Sequence, residues 1–516
     1  MHTTTSMACV GHDLFEPIDR AVRLCGEAEA VVDGSTRLSY HQVWDWVQRL
    51  ASGVRARGVQ NGDRVAVLAD NSAAFLASYF AIPVAGMVFV PLNYRLQEPE
   101  LLDQVADCRP TLLLTDASHY DVAVRLGAAC GVSVATFDDL VAADAGPHAA
   151  ELVKRQGTDL AAIFYTGGTS GRAKGVMLTH ENLAVNALHM IAGLRYDARD
   201  VYLHCAPMFH LGDGMSLYPM TWVGGRHVVI PRFNPEAVVE AIVTERITCL
   251  FLVPTMLTLL VEHLAARSDS PDLSSLRLVV HGGAPISKSL LRRALSALGC
   301  SFTQSYGMTE AGPILSFLPE EESRLASETL KSAGRPVVGA DVRVFRADGS
   351  ECAPGEVGEI VARGPNIAVG YWNQPEVTRE RFRQGWYWSG DLAHRDAQGY
   401  LYIVGRAGDV IISGGENVYA AEVEAALDSH PAVIEAAVFA VPSARWGESV
   451  HAAVALRAGA GVDEAQLDAH CRARIAGYKV PRSYEFHENL PRTGAGKIDK
   501  RDLRAPYWSG AERQVS

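Results

Sequence analysis

RVAVLADNSAAFLASYFAIPVAGMVFVPLN, residues 64–93, reads as a short apolar run, a longer mixed segment beginning at Asn71, and a second apolar run reaching Pro91. Short apolar runs bounded by turn residues suit buried strands, and the segment between them has the length of a helix, so the stretch predicts a βαβ unit. The same alternation returns at TLLLTD (111–116), LFLVPTMLTLLVEHL (250–264) and LRLVVHGGAPISKSLLRRALSAL (276–298). Repetition of this kind implies helices packed on largely parallel sheets. No fixed-period repeat is visible.

Between 320 and 405 the pattern changes to short strands separated by Gly, Pro and Asp, as in RVFRADGSECAPGEVGEIVARG (343–364), which suits an antiparallel sheet or small barrel. After YIVGRAGD (402–409) helix and strand patterns start again in VEAALDSHPAVIEAAVFAVP, HAAVALRAG and DEAQLDAHCRARI. About a hundred residues suffice for a separate domain. The expected architecture is α/β: a large N-terminal domain (1–405) of two α/β subregions plus a small β-barrel-like subregion, then a small mobile α+β C-terminal domain (406–516). The boundary falls between Gly405 and Gly408.

Bulk properties exclude several classes. The 516 residues are 48% hydrophobic, enough for a large core, and the formal charge of −12 argues against a protein that grips nucleic acid by its phosphates. The nine cysteines form no C-x-x-C pair, so neither a zinc cluster nor a disulfide framework is suggested, and a reducing cytoplasm is the expected compartment. The first residues, MHTTTSMACVGHD, lack a basic start followed by an apolar core, and no apolar run is long enough to span a membrane.

One glycine-rich stretch, YTGGTSGRAKGV (165–176), fails the Walker A pattern because Lys174 is preceded by Ala173 and followed by Gly175. It carries the same ingredients all the same. Glycines let backbone N–H groups approach an anion, Thr166, Thr169 and Ser170 add hydroxyls, and Lys174 adds a point charge. An ordinary turn between the strands LAAIFY and GVML is the other reading of this stretch alone.

Six segments in order decide between them. YTGGTSGRAKGV, PMFH (207–210), SYGMTE (305–310), GWYWSGD (385–391), GRAGDVIISGGENVYAAEVE (405–424) and PRTGAGKIDKRDLR (491–504) resemble the motifs of the adenylate-forming ligases, in their acyl- and aryl-CoA synthetase branch. That resemblance implies two half-reactions: carboxylate and ATP give acyl-adenylate and pyrophosphate, then a thiol displaces AMP. ATP, Mg²⁺ and CoA are the implied cofactor and substrates.

The resemblance also distributes roles. Thr166, Gly167, Gly168, Thr169, Ser170, Gly171 and Lys174 would cradle the β- and γ-phosphates, with Glu310 helping to hold Mg²⁺ and Thr309 adding a phosphate contact. Gly283, Ala284, Pro285, Tyr306 and Gly307 would lie beside adenine, Tyr306 by stacking; Asp391 would accept the ribose hydroxyls, and Arg406 would lie near the same ribose. Lys497 matches the catalytic lysine of adenylation. Gly414, Gly415, Glu416 and Trp446 would line the CoA tunnel. His210, His281, Gly283 and Met308 would line the acyl pocket. Taken singly, each has a bland alternative: a turn Asp, a solvated Glu or tail Lys, a core Trp, a structural His.

Two departures stand out. The family pivot is usually Asp or Lys, and here it is Gly408, followed by Asp409, which leaves the balance of the two half-reactions open. Amino-acid-activating relatives place an Asp after the residue matching His210 to pair with the substrate ammonium. This chain has Leu211, so an apolar aliphatic, aryl or polycyclic acid is expected. A carrier-protein phosphopantetheine is the alternative acceptor, a nucleotide-binding regulator without turnover a third reading, and homodimerisation stays open.

Overall fold

The computed structural model describes residues 11–142, 152, 155–166, 173–284, 286, 288–318, 329, 332–413, 416–443, 445–457, 459–493 and 497–508. Residues 64–93 form the strand Arg64–Leu68, the helix Ala73–Val84 and the strand Val88–Pro91, the two strands parallel and adjacent. Ser72 caps the helix by accepting the Phe75 N–H at 3.1 Å. Every residue of this helix except the half-buried Ala74 is buried. A helix apolar all round needs protein on all sides, and this one has it: its core cluster joins Val31 and Val229 of one sheet to Val65 and Val67 of another.

Those two sheets are the body of the molecule. A seven-stranded sheet runs, in spatial order, Gly370–Tyr371, Lys174–Thr179, Leu160–Thr166, Val88–Pro91, Arg64–Leu68, Leu112–Thr115 and Ser133–Thr136. The nine-stranded sheet has a parallel centre that includes Val201–His204, Cys249–Leu252, Leu278–Gly282 and Ser301–Gly307. The run expected as β-rich forms a five-stranded antiparallel sheet from Asp341–Phe345 to Leu401–Arg406. A fourth sheet begins at Val410–Ser413 and packs the helices Ala420–Asp428 and Glu464–Arg472 over a core of its own. The cysteines among the described residues are free thiols, and no helix there is long and apolar enough to cross a membrane.

Three core histidines set a pH dependence of folding. Burial pushes the pKa of His180 down to about 3 and those of His189 and His281 to about 4. As pH falls from about 6.5 towards 4, unfolded chains take up protons that these folded imidazoles refuse, so stability drops with pH by up to about 1.4 kcal/mol per pH unit for each histidine. The urea midpoint is therefore expected to be lower at pH 5 than at pH 7; an unchanged or higher midpoint would show that these rings titrate normally.

Candidate active site

The glycine-rich stretch leaves the end of an antiparallel hairpin in which Thr166 pairs with Lys174 and Tyr165 with Gly175. Gly167, Gly168, Thr169, Ser170 and Gly171 lie outside the described residues, as do Pro285, Gly414 and Gly415. Gly175 has to be glycine, since a Cβ there would stand 2.8 Å from the Ile163 side chain and 3.3 Å from Trp372. The Lys174 ammonium lies 5.4 Å from the centroid of the Tyr371 ring. Burial and then the Arg381 charge lower its pKa, while Glu310 pulls the other way.

Glu310 follows the strand Ser301–Gly307 in a single 3₁₀ turn, Thr309–Ala311. The turn is forced by close backbone packing: a Cβ on Gly307 would come within 1.9 Å of the Pro313 carbonyl. Thr309 and Glu310 are both buried. Ala368 N–H donates to the Glu310 carbonyl, and the Tyr371 hydroxyl donates to Glu310 Oε1, both at 2.8 Å. Oε2 makes no hydrogen bond among the described residues, leaving a hard carboxylate oxygen of the kind Mg²⁺ selects.

Asp391 lies on the strand Trp386–Arg395, in register with Arg406 on Leu401–Arg406, so it is a strand residue rather than a turn residue. Its Oδ1 accepts from Arg406 Nε at 3.0 Å and its Oδ2 from the Tyr306 hydroxyl at 2.8 Å. A carboxylate offers about four acceptor positions. Two remain for a vicinal diol. Tyr306 differs from the stacking role expected of it: the ring is packed among Ala311, Leu315 and Val342, so it serves the site through its hydroxyl and has little face to offer a base. His281 departs from expectation in the same way, being 3% exposed with Nδ1 buried and unpartnered. What this strand end exposes is Gly283 and Ala284, Gly283 with φ +78°, where a side chain would be strained. Met308 is half-buried beside the Tyr306 cluster.

His210 caps the short helix Leu211–Gly214, and its Nδ1 accepts the Gly212 N–H at 3.0 Å. That bond fixes the tautomer, leaving Nε2–H as a donor. The side chain is exposed to the cleft, whose surrounding protein, then the charges of Lys497 and Arg95, lower its pKa to about 4, so the ring is neutral at physiological pH.

Lys497 reaches this cleft from the far end of the chain. Its loop closes on itself through Thr493 N–H to the Lys497 carbonyl at 2.7 Å, and ion pairs from Arg492 to Glu435 and from Lys500 to Glu424, each 2.6 Å, tie the loop to the fourth sheet and to the helix Ala420–Asp428. Burial and Arg406 push the Lys497 ammonium pKa down, and Asp391 and Glu310 push it up. The ammonium makes no hydrogen bond or salt bridge among the described residues, and its tip stays open to the cleft.

Residues from five separate segments thus converge: Lys174, His210, Glu310, Asp391 with Arg406, and Lys497. Residues 18–372 match the family described as AMP-binding enzyme, and residues 422–497 match the AMP-binding enzyme C-terminal domain. The chain belongs to the AMP-binding enzymes. It falls in their adenylate-forming acyl- and aryl-CoA synthetase branch, as an AMP-forming acid–thiol ligase. It is 43% identical over 492 residues to a feruloyl-CoA synthase of Amycolatopsis sp, covering 95% of this chain and 98% of that one. It is 36% identical over 515 residues to an indoleacetate–CoA ligase of Aromatoleum aromaticum, covering 95% and 98%. The o-succinylbenzoate–CoA synthetase of Bacillus subtilis, solved with ATP and magnesium ion, superposes with a TM-score of 0.83 at 31% identity, covering 95% of this chain and 99% of that one.

Several site residues of this AMP-binding enzyme escape a motif reading. Tyr371, which holds Glu310, comes from the two-residue strand Gly370–Tyr371. Half-buried Trp446 is flanked by two guanidiniums, Arg445 at 4.7 Å and Arg482 at 4.6 Å from its ring centroid. Gly447 pairs with Ser413, which sets Trp446 near the end of the strand Val410–Ser413, while Glu416 stays exposed. Two other features stand apart. A cavity of about 430 Å³ lined by Arg64, Asp107, Arg109 and Trp372 contains none of the converging residues. Asp70, Asp116 and His119 gather within 4.8 Å, but Asp70 is paired with Arg232 and Asp116 with His119 and backbone amides.

Proposed function

We propose that this enzyme activates an aryl carboxylic acid with ATP and passes the acyl group to CoA. The observation that carries this reading is Lys497, its three N–H donors uncommitted among the described residues, standing in the same cleft as Asp391, Glu310 and His210. Two anions must meet in the first step, the acid and the α-phosphate, and Lys497 neutralises charge as the carboxylate oxygen attacks. His210 donates Nε2–H to the acid without adding charge. The 166–174 loop holds the β- and γ-phosphates, and Asp391, steadied by Tyr306 and Arg406, takes the ribose hydroxyls. Glu310 holds Mg²⁺, which when bound offsets phosphate charge.

An amino acid is a poor fit. Leu211 supplies no counter-charge, and Asp213, two residues on, is buried with both oxygens committed to His204 and Ala206. The printed substrates of the relatives, feruloyl and indoleacetate, are aryl acids, which supports the aryl class. Hydroxylamine trapping of acyl-adenylates across aliphatic, aryl and polycyclic acids tests it; preference for a straight-chain aliphatic acid would overturn it.

Trp446, between Arg445 and Arg482, offers an aromatic face and two cations to the nucleotide end of CoA, which favours CoA over a carrier-protein arm. Trp446→Ala and Arg482→Ala are each expected to raise the KM for CoA by about tenfold, leaving that for ATP within about twofold. A larger rise for ATP would move this pair out of the thiol site.

Gly408 is read as the pivot between adenylation and thioester formation. In the pose described here it lies in the turn Ala407–Asp409 without a positive φ, and a Cβ would meet nothing within 4 Å. Any need for glycine at 408 therefore belongs to the other pose.

A further inference from the structure

Beneath the His210 loop runs a buried chain of four polar side chains. Thr221 Oγ1 lies 3.0 Å from His227 Nε2, His227 Nδ1 lies 3.0 Å from His204 Nε2, and His204 Nδ1 lies 2.5 Å from Asp213 Oδ1. None of the four is more than 1% exposed, and the imidazoles stack at 5.3 Å between centroids. The chain ties together two strands, Val201–His204 and Arg226–Val229, the helix Leu217–Val223 and the four-residue helix that His210 caps.

Its far end grips the loop. Asp213 Oδ2 accepts the Ala206 N–H at 3.0 Å, one residue before PMFH. Asn71 fastens the same stretch by donating to the Ala206 carbonyl and accepting the Met208 N–H, each at 2.8 Å, and the Tyr79 hydroxyl donates to the Met208 carbonyl. Gly214 has to be glycine because a Cβ would overlap that Tyr79 hydroxyl at 2.0 Å. The loop is thus clamped on both sides of His210.

Proton bookkeeping gives the chain one direction. The Thr221 hydroxyl has no acceptor among the described residues other than His227 Nε2, so it donates there. His227 then carries its proton on Nδ1 and donates to His204 Nε2, and His204 carries its own on Nδ1 and donates to ionised Asp213. Every donor and acceptor is satisfied with two neutral rings and one carboxylate. Burial favours neutrality at His227, and His204 offsets the cost of burying the Asp213 charge.

We propose that Asp213 is a positioning residue for the acid: held by the Thr221–His227–His204 relay, it fixes the 206–212 loop so that His210 Nε2–H is aimed at the bound carboxylate. The inference rests on reading the His210 loop as the acid site. Asp213→Asn can keep the heavy-atom contacts by reversal, its amide N–H donating to His204 Nδ1, both rings moving their protons to Nε2, and its carbonyl still accepting from Ala206, at the cost of the acceptor for the Thr221 hydroxyl hydrogen. Asp213→Ala leaves His204 Nδ1–H and Ala206 N–H without acceptors.

The test combines carboxylate-dependent ATP–pyrophosphate exchange with nitrogen-15 NMR of histidine-labelled enzyme. Asp213→Ala is expected to raise the KM for the acid at least about tenfold with that for ATP within about twofold, and Asp213→Asn to stay within about threefold for both. In the unsubstituted enzyme His204 and His227 should both be Nδ1–H tautomers, and in Asp213→Asn both Nε2–H. Nε2–H tautomers in the unsubstituted enzyme, or equal rises for acid and ATP in Asp213→Ala, would overturn the relay. Should Asp213→Ala not fold, the tautomers of the unsubstituted enzyme still decide. His210→Ala separates the two claims: an unchanged acid KM there defeats the reading of the loop, whereas a raised one with Asp213→Ala unaffected defeats the relay alone.

Discussion

Lys497→Ala is expected to slow carboxylate-dependent ATP–pyrophosphate exchange by about 10²–10³, the loss typical of removing one preorganised donor from developing negative charge. The other cations at the site have their own neighbours: Arg406 Nε is bonded to Asp391, and Lys174 stands over the Tyr371 ring. The Lys497 ammonium makes no hydrogen bond or ion pair among the described residues, so its donors are available to the reacting groups. It makes no ion pair among the described residues, and the variant should unfold at an unchanged temperature. Thioester formation from a supplied acyl-adenylate should fall much less. Equal loss in both half-reactions would remove Lys497 from the role given to it.

Glu310→Gln is expected to be the second most damaging change. The amide retains an oxygen for the Tyr371 hydroxyl, so the turn at Thr309–Ala311 keeps its brace, but the negative charge that recruits the divalent ion is gone. Exchange should drop by about 10² at limiting magnesium and recover in part as magnesium is raised, because a weakened cation site is refilled by mass action. A magnesium titration that superposes on that of the unsubstituted enzyme would place the ion elsewhere. Tyr371→Phe gives the contrast: the charge stays, the brace goes, and a smaller effect is expected.

The parts that the sequence revealed are those whose chemistry is local. The βα alternation at 64–93, 250–264 and 276–298 predicts the strands and helices found there, because each strand is buried on both faces and each helix follows directly. Glu310, Asp391, Arg406 and Lys497 sit in compact motifs, and all four meet in the cleft. Pairing across the chain was hidden. Tyr371 meets Glu310 only because its strand pairs with Val176 at the edge of the sheet, and Arg482 meets Trp446 from 36 positions further along. The His204–Asp213 bond spans nine residues, but its continuation to His227 needs two strands side by side in register. Tyr306 and His281 show the opposite limit: residue type suggested a stacking ring and a pocket wall, whereas packing from both sides of their strands covers them.

The two ion pairs that bind the Lys497 loop, Arg492 to Glu435 on the fourth sheet and Lys500 to Glu424 on the helix Ala420–Asp428, both stay within the C-terminal unit. In the proposed turn of the unit from Val410 onward, the ammonium is carried like a key on a handle and moves with that unit. On that proposal, withdrawal of the lysine and admission of the thiol become one event instead of two.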